Sequence, residues 1–113
     1  MIIYYLSQSG KNPVFEFLNL LEKPQKAKVF RIFEAIEKYG ISSIPNHLKK
    51  MTGIPLWEIR ILGKDNIRVI YIIPHKNVVL ILNAFFKKQN KTPVKEIEVA
   101  LRRYADWKTR NRS

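Results

Sequence analysis

The sequence predicts an α+β fold with the element order β-α-α-β-β-β-α, as one domain over residues 1–113. Two segments between residues 13 and 39 place apolar side chains three and four positions apart, which is the helical period. Three β-branched and aromatic runs follow between residues 56 and 86, separated by gaps of hairpin length. A third helical pattern ends the chain. We therefore expect a helical hairpin packed on a small, mostly antiparallel sheet, with a C-terminal helix.

The elements of the N-terminal third have clear start and stop signals. The β-branched and aromatic run IIYYL at residues 2–6 predicts a strand. Asn12 followed by Pro13 is typical of a helix start, with Asn as the cap and Pro in the first turn. Pro24 begins a second helix in the same way, and Gly40 ends it. The two helices are expected to form an antiparallel pair.

The rest of the chain begins with a predicted loop at residues 41–55, which contains two prolines. The segment LWEIRIL is bounded by GKDN, and IRVIYII is bounded by PHKN before VVLILNAFF. The last two runs are apolar on both faces, so we expect central strands that are covered on both sides. Thr92 is expected to cap the last helix, with Pro93 in its first turn. This helix repeats apolar residues at Val94, Ile97, Leu101 and Tyr104, and its far end is basic (Arg102, Arg103, Lys108, Arg110 and Arg112).

Positive charge is the strongest signal in the composition. The chain carries 21 Lys and Arg against nine Asp and Glu, a net charge of +12. The net charge rises along the chain, from +2 over residues 1–40 to +4 over 41–85 and +6 over 86–113. Because such an excess repels itself, it points to a polyanionic partner, and we place nucleic acid before an anionic membrane or an acidic protein.

Other features bound the class of protein. There is no cysteine and only two histidines, so we expect no disulfide and no metal site. No apolar run approaches the roughly 20 residues of a spanning helix. The N-terminal apolar segment has no basic run before it, which argues against a signal peptide. A cytoplasmic protein without a membrane partner or a cofactor is therefore expected.

Three segments resemble a known family when taken in order. They are WEIR, IRVIY and LNAFFKKQNKTPVKEIEVALRR, of which FFKKQNKTPVKEIEVA is the most specific. The chain resembles the phage-derived, HigB-like branch of the RelE/ParE toxin superfamily over residues 13–104. The resemblance implies a RelE-like fold and the toxin of a type II toxin–antitoxin pair, held inactive by a cognate antitoxin of helix-turn-helix type.

The resemblance also implies an activity and its alternatives. RelE-like toxins cleave messenger RNA, often on the ribosome, and need no metal or other cofactor. The substrate 2′-hydroxyl attacks the next phosphate and leaves a 2′,3′-cyclic phosphate and a 5′-hydroxyl. ParE-like members instead inhibit DNA gyrase, which is the alternative function. A protein that binds nucleic acid or antitoxin without catalysis is a third possibility.

Such a reaction needs a base, fixed positive charge and an acid, and the basic strand residues are the candidates. Arg68 matches an arginine of the family and stands alone in an apolar strand, although an ion pair with Glu58 would also explain it. Lys87 and Lys88 end the last strand, and Lys88 aligns with a phosphate-binding arginine of RelE-like enzymes. Arg60 faces away from the Trp57 side of its strand and is expected on the same face as Arg68. A crowded lysine can act as the base because neighbouring cations lower its pKa.

A second group is expected to bind the RNA backbone: Lys49, Lys50, Lys91, Arg102 and Arg103. For Lys49 and Lys50, a plain solvated loop explains the sequence slightly better. Tyr71 and Trp57 are expected in the core, and Tyr104 and Trp107 are expected to pack or to contact the antitoxin. Glu58 stands where RelE has a lysine, and the catalytic tyrosine of RelE and the acid–Tyr–His cluster of some HigB enzymes have no counterpart. The general base and acid are therefore not assigned by the sequence.

Overall fold

The computed structural model describes residues 1–61, 63 and 66–111, and these ranges contain the predicted elements. The α+β class is confirmed, with a helical hairpin on a mixed sheet and a C-terminal helix, in agreement with a RelE-like fold. Two 3₁₀ turns follow the second helix. The elements in chain order are β1 (Ile2–Tyr4), α1 (Pro13–Asn19), α2 (Lys23–Tyr39), β2 (Leu48–Lys50), β3 (Trp57–Ile61), β4 (Ile67–Ile72), β5 (Val79–Phe86) and α3 (Val94–Arg110).

The five strands form one sheet in the order β1-β5-β4-β3-β2. Strand β1 runs parallel to β5, and the other three pairs are antiparallel. The two strands predicted to be covered on both faces, β4 and β5, are indeed central neighbours. Their antiparallel register, with Ile67 beside Phe86 and Ile72 beside Leu80, puts the start of β4 and the end of β5 at the same end of the sheet.

Helices α1 and α2 cover one face of the sheet. Asn12 caps α1 by accepting a hydrogen bond of 3.0 Å from the backbone N–H of Phe15. A reciprocal capping box between Glu22 and Gln25 begins α2, and Gly40, with a φ of 88°, ends it. The predicted cap at Asn12 and the predicted stop at Gly40 are thus confirmed, and Pro24 lies in the first turn of α2 as predicted. The side chains buried between the hairpin and the sheet include Leu18, Val29, Phe33, Ile36, Ile59, Val69, Tyr71 and Ile81.

Helix α3 covers part of the opposite face. Its side chains Ile97, Ala100, Tyr104 and Trp107 pack against Ile70, Ile72, Leu80 and Leu82 of β4 and β5. Alternation along these strands sends Tyr71 and Ile81 to the hairpin face and Ile70 and Leu82 to the α3 face. The predictions that Tyr71 is core and that Trp57 packs on the same side are confirmed, because both lie with the hairpin cluster.

Two local predictions were wrong. The predicted loop at residues 41–55 contains β2, because Leu48–Lys50 pairs with β3. Thr92 does not cap α3, since its hydroxyl donates a hydrogen bond to the Glu58 carboxylate across the sheet. Three features of the sequence lie outside the described residues: the end of the predicted strand LWEIRIL at 62, the turn positions 64 and 65, and Arg112.

Candidate active site

The sheet brings four charged side chains together on the face that carries α3, beside the area that the helix covers. Arg60 of β3 lies opposite Arg68 of β4, and Arg68 lies opposite Phe85 of β5. Lys87 follows two positions after Phe85, so it continues on the same face. Glu58 lies two positions before Arg60 and shares that face as well. We call Glu58, Arg60, Arg68 and Lys87 the basic floor.

Glu58 is the single acid of the basic floor and is almost fully buried, with 1% of its surface exposed. Its Oε1 lies 3.4 Å from Nε of Arg68, and its Oε2 accepts a hydrogen bond from the Thr92 hydroxyl. The ion pair considered from the sequence for Arg68 is therefore present. A buried carboxylate needs such partners, because an isolated one is costly to desolvate. Glu58 thus links β3, β4 and the segment that leads into α3.

The two arginines of the floor keep part of their donor capacity unused. Nη2 of Arg60 donates to the Asn46 carbonyl at 3.3 Å, and Nη1 of Arg68 donates to the Ile67 carbonyl at 3.1 Å. Within residues 1–61, 63 and 66–111, Nε of Arg60 is buried without a hydrogen-bond acceptor, whereas Nε of Arg68 faces the Glu58 carboxylate in the ion pair. Unsatisfied buried donors are unfavourable, and donors of this kind are suited to an anionic ligand.

Lys87 is the buried lysine of the floor, with 8% of its surface exposed. Its backbone N–H donates to the Asn66 carbonyl at 2.7 Å, which fixes the end of β5 against the start of β4. Burial lowers the pKa of Lys87; Glu58 opposes this effect, and the positive charges of Arg68, Lys49 and Arg60 add to it. A lysine with a lowered pKa carries more neutral amine, which is the form that accepts a proton.

Two clefts flank the basic floor. The first, of about 250 Å³, is lined by Asn66, Arg68, Lys87, Lys88, Gln89 and Asn90. The second, of about 230 Å³, is lined by residues that include Lys49, Lys50, Glu58, Lys91 and Thr92. Six of the predicted site residues thus line these two clefts. Three line the first (Arg68, Lys87 and Lys88), and three line the second (Lys49, Lys50 and Lys91).

The lysines of β2 point to opposite sides of the sheet. Lys49 lies opposite Glu58, on the face of the basic floor. Lys50 lies opposite Trp57, and its ammonium is 6.0 Å from the centre of the indole ring. Lys49 is therefore the member of the pair that adds its charge to the floor, an assignment that the sequence pattern alone did not make.

The structure does not bring Arg102 and Arg103 to the floor. They line a separate cleft with Tyr5, Lys11 and Asp106. The guanidinium of Arg103 donates to the Leu82 carbonyl at 2.8 Å and lies 5.7 Å from the centre of the Tyr5 ring. Burial also lowers the pKa of Arg103. Its contacts fix α3 to β5, and Arg102 beside it remains exposed.

Several polar residues of the site had no clear signal in the sequence. Asn66, Gln89 and Asn90 line the first cleft, and Asn66 takes the left-handed φ of 53° that is typical of Asn in turns. Thr92 contacts Glu58 although its place before Pro93 resembles a helix cap. The position of Glu58 in an alternating strand did indicate its face, but its burial depends on Thr92 and Arg68, which lie elsewhere in the sequence.

The family to which the chain belongs follows from its sequence over most of its length. The family described as phage derived protein Gp49-like (DUF891) matches residues 16–105. The chain belongs to this family. Its members are RelE/HigB-type toxin-like proteins, and membership is consistent with the toxin of a toxin–antitoxin pair. The matched range contains every residue of the basic floor and both lysines of β2.

Three further observations bear on the class of protein. No curated protein matches the chain in sequence. Among the described helices of this Gp49-like protein, none is both long and apolar enough to cross a membrane. Within residues 1–61, 63 and 66–111, no three His, Asp or Glu side chains are grouped as a metal site would require.

Proposed function

We propose that this protein is the toxin of a type II toxin–antitoxin system, of the HigB-like branch, and that it cleaves messenger RNA on the ribosome. The observation that carries the proposal is Lys87, a buried lysine with a lowered pKa on the same face of the sheet as Arg68 and Arg60 and in the lining of a polar cleft. This arrangement combines a proton acceptor with fixed positive charge at one point, as cleavage of an RNA backbone requires.

In the proposed reaction, the neutral amine of Lys87 takes the proton of a substrate 2′-hydroxyl. The 2′ oxygen then attacks the adjacent phosphorus, and the charge that develops on the phosphate oxygens is stabilised by Arg68 and Arg60. Lys88, exposed at the rim of the same cleft, holds the phosphate from outside. The bond from phosphorus to the 5′ oxygen breaks and that oxygen takes up a proton. The products are a 2′,3′-cyclic phosphate and a 5′-hydroxyl.

The roles of the remaining basic residues follow from their places. Lys49 and Lys91 line the second cleft and would hold the RNA backbone next to the reacting phosphate. The ribosome would supply the orientation of the message, so that a small protein needs few contacts of its own. A helix-turn-helix type antitoxin would inactivate the toxin by covering the same positive surface, and toxin and target would meet in the cytoplasm.

The test is to induce the protein in a bacterium and to map the 5′ ends of cellular RNA within minutes. We expect new 5′-hydroxyl ends inside translated messages, and their loss in Arg68→Ala. Arg31→Ala, which removes an exposed arginine on α2, is the matched control and should cleave normally. Because Arg68→Ala leaves Glu58 without its ion pair, folding is checked by circular dichroism, and the exposed Lys88→Ala serves as a second variant.

The outcomes separate the competing functions. Growth arrest with intact RNA, together with a DNA damage response, would favour the ParE-like inhibition of gyrase. The absence of growth arrest would leave a binding protein without catalysis. Lys87→Arg tests the role of the base, since arginine keeps the positive charge but does not lose its proton. If Lys87→Arg cleaves as fast as the parent protein, Lys87 is not the base.

A further inference from the structure

The end of α3 that lies far from the basic floor carries a group of aromatic side chains with no role in the proposed cleavage. Tyr104 and Trp107 of α3 and His75 of the β4–β5 turn line an open cleft of about 610 Å³ with Lys108. We call these four residues the aromatic platform. Tyr104 and Trp107 also pack partly on the sheet, which fixes their positions.

The rings of the platform are arranged as a continuous surface. The planes of Tyr104 and Trp107 are nearly parallel, at 22°, with their centres 6.4 Å apart. His75 follows with its ring centre 6.0 Å from that of Trp107 and its plane tilted by 54°, so its face forms a second, inclined surface. The Lys108 ammonium lies 4.6 Å from the centre of the Tyr104 ring. Aromatic rings next to a cation are the elements with which proteins bind the bases and phosphates of single-stranded nucleic acid.

The charge around the platform favours an anionic ligand. Among residues 1–61, 63 and 66–111, those that line the cleft include Lys108 and no carboxylate. Asp106, the nearest acid along α3, faces the other side of the helix, where it accepts hydrogen bonds from Tyr5 at 2.6 Å and Arg110 at 2.8 Å. The net charge of +12 attracts a polyanion to the whole molecule, and here the approach meets no local repulsion.

The lining also favours a nucleobase over a helix of a partner protein. An amphipathic helix binds in a groove lined by aliphatic side chains, at anchor points three and four residues apart. In the described part of the chain, no Leu, Ile, Val or Met lines the cleft at the platform, and its apolar surface comes mainly from the rings, Pro74 and Ala105. A flat ring face packs better against a flat, unstacked base than against a branched aliphatic side chain of a partner helix.

The platform lies on the same face of the sheet as the basic floor, at the opposite end of α3. Thr92, just before α3, donates a hydrogen bond to Glu58 of the floor. Trp107, near the other end of the helix, contacts His75. The strand β4 and the first residues of its turn separate Arg68 from His75, a length of roughly 20 Å at about 3.3 Å per residue. The two sites are therefore separate, and neither includes a side chain of the other.

We propose that the aromatic platform is a second nucleic-acid site, which binds unstacked bases of single-stranded RNA, one on Trp107 and one on the tilted ring of His75, with Lys108 near the backbone. This site goes beyond the proposed cleavage and does not depend on it. A strand bound there is held at a distance from the reacting phosphate, so its loss changes binding and leaves the chemistry of the floor in place.

The experiment measures the fluorescence of Trp107 during titration with a single-stranded 2′-O-methyl RNA oligonucleotide. This probe has no free 2′-hydroxyl, so it cannot be cleaved by the proposed reaction. Trp57→Phe removes the other tryptophan and leaves Trp107 as the reporter. We expect saturable quenching with the single strand and weaker quenching with a duplex of the same sequence, in which the bases are already stacked.

Variants in the natural sequence background test the same site by fluorescence anisotropy of a labelled probe. His75 and Lys108 are exposed, so their replacement does not disturb the core. We expect His75→Ala to weaken binding roughly fivefold or more, as loss of a stacking ring does. Lys108→Ala should weaken it more than Lys23→Ala, an exposed lysine of α2 that measures the effect of any one charge.

Further outcomes decide between the two sites. Lys87→Gln should abolish cleavage in the cell and keep the quenching of Trp107, whereas His75→Ala should keep cleavage in the cell and weaken binding of the probe. The proposal is overturned if the single strand does not quench Trp107, if the duplex quenches it equally, or if His75→Ala and Lys108→Ala bind like Lys23→Ala. None of these results depends on whether the protein cleaves RNA.

Discussion

The face of the sheet that carries α3 has two halves of opposite character. Under the helix, Ile70, Ile72, Leu80 and Leu82 are buried with at most 6% of their surface exposed. Beside the helix, the same face carries Glu58, Arg60, Arg68 and Lys87. The two halves meet within β4, since Ile70 and Arg68 are two residues apart in that strand. The difference therefore comes from what covers each half.

The width of a helix explains the boundary. An α-helix with its side chains is about 10 Å wide, and strands are about 4.8 Å apart, so one helix covers about two strands. The other face has two helices over the same five strands, whereas α3 packs on one part of β5 and β4 and leaves open β3, β2 and the ends of β4 and β5 that carry Arg68 and Lys87. The open half provides a place where charged groups are largely shielded by protein and still within reach of a ligand.

The largest effect is expected for Lys87→Met, which makes the open half resemble the covered half. RNA cleavage should fall about 100-fold or more, the usual contribution of a general base. The free energy of unfolding should rise at neutral pH, because the lowered pKa of Lys87 means that its ammonium form destabilises the folded state. This gain should shrink as the pH rises toward 10.5, the ordinary pKa of lysine, where the amine is neutral in both states.

Thermal unfolding from neutral pH to pH 10.5 measures the change in stability, and single-turnover kinetics measure the loss of RNA cleavage. The matched control is Lys88→Met, an exposed lysine next in the sequence, which should not raise the stability. A lower melting temperature for Lys87→Met at neutral pH would show that Lys87 stabilises the fold, contrary to our interpretation.

Leu82→Ala tests the covered half, where packing and not charge is at stake. Leu82 is fully buried between β5 and α3, so the change should cost about 2–5 kcal/mol in the free energy of unfolding. Chemical denaturation measures this loss. Cleavage per folded molecule should stay close to that of the parent protein. A stable Leu82→Ala protein would mean that α3 does not depend on this contact, and the two halves would differ less than we infer.

Glu58→Gln changes the boundary between the halves. The change should cost about 1–3 kcal/mol, because Arg68 loses its ion pair in a largely buried place. The charge of Glu58 raises the pKa of Lys87 against the effect of burial, so its removal should lower that pKa further. The acid limb of the cleavage rate should then move to lower pH. Thr92→Val, which removes the other partner of Glu58, should leave this limb nearer to its original position.

Asp106→Asn is expected to have the smallest effect and concerns the attachment of α3 at the far end of the helix. Hydrogen bonds from Arg110 and Tyr5 lower the pKa of Asp106 from 3.8 to about 2. The carboxylate therefore adds stability above its ordinary pKa, and this is lost as the pH falls through about 2. Asp106→Asn should melt slightly lower at neutral pH, and the difference should disappear toward the acid end. A constant difference at all pH values would contradict the role of its charge.

The sequence predicted those parts of the molecule that depend on neighbours along the chain. The caps at Asn12 and Gly40 and the alternation of Trp57 and Ile59 are local patterns, and the structure confirms them. The common face of Arg60 and Arg68 also followed from alternation. Strand β2 was missed because three residues between turns carry too weak a pattern. The hydrogen bond from Thr92 to Glu58 joins residues 34 positions apart, and no local pattern indicates it.

The burial of the site residues also could not be predicted from the sequence. Lys87 and Lys88 are identical side chains in adjacent positions, yet one is buried and the other exposed. Alternation separates them, but which of the two faces the protein depends on where β4 begins and on the hydrogen bond from the Lys87 backbone to Asn66. The assignment of Lys87 as the proposed base therefore required the structure.

The short strand β2 has one more consequence, for the behaviour of the protein in a crowded cell. It is the outermost strand on its side of the sheet, and the backbone of an outermost strand can pair with another molecule. Strand β2 has only three residues, and two of them are the exposed lysines Lys49 and Lys50. A short edge strand that carries lysines hinders pairing with the edge strand of another sheet. The same lysines that attract RNA would thus keep copies of the protein from aggregating through their sheets.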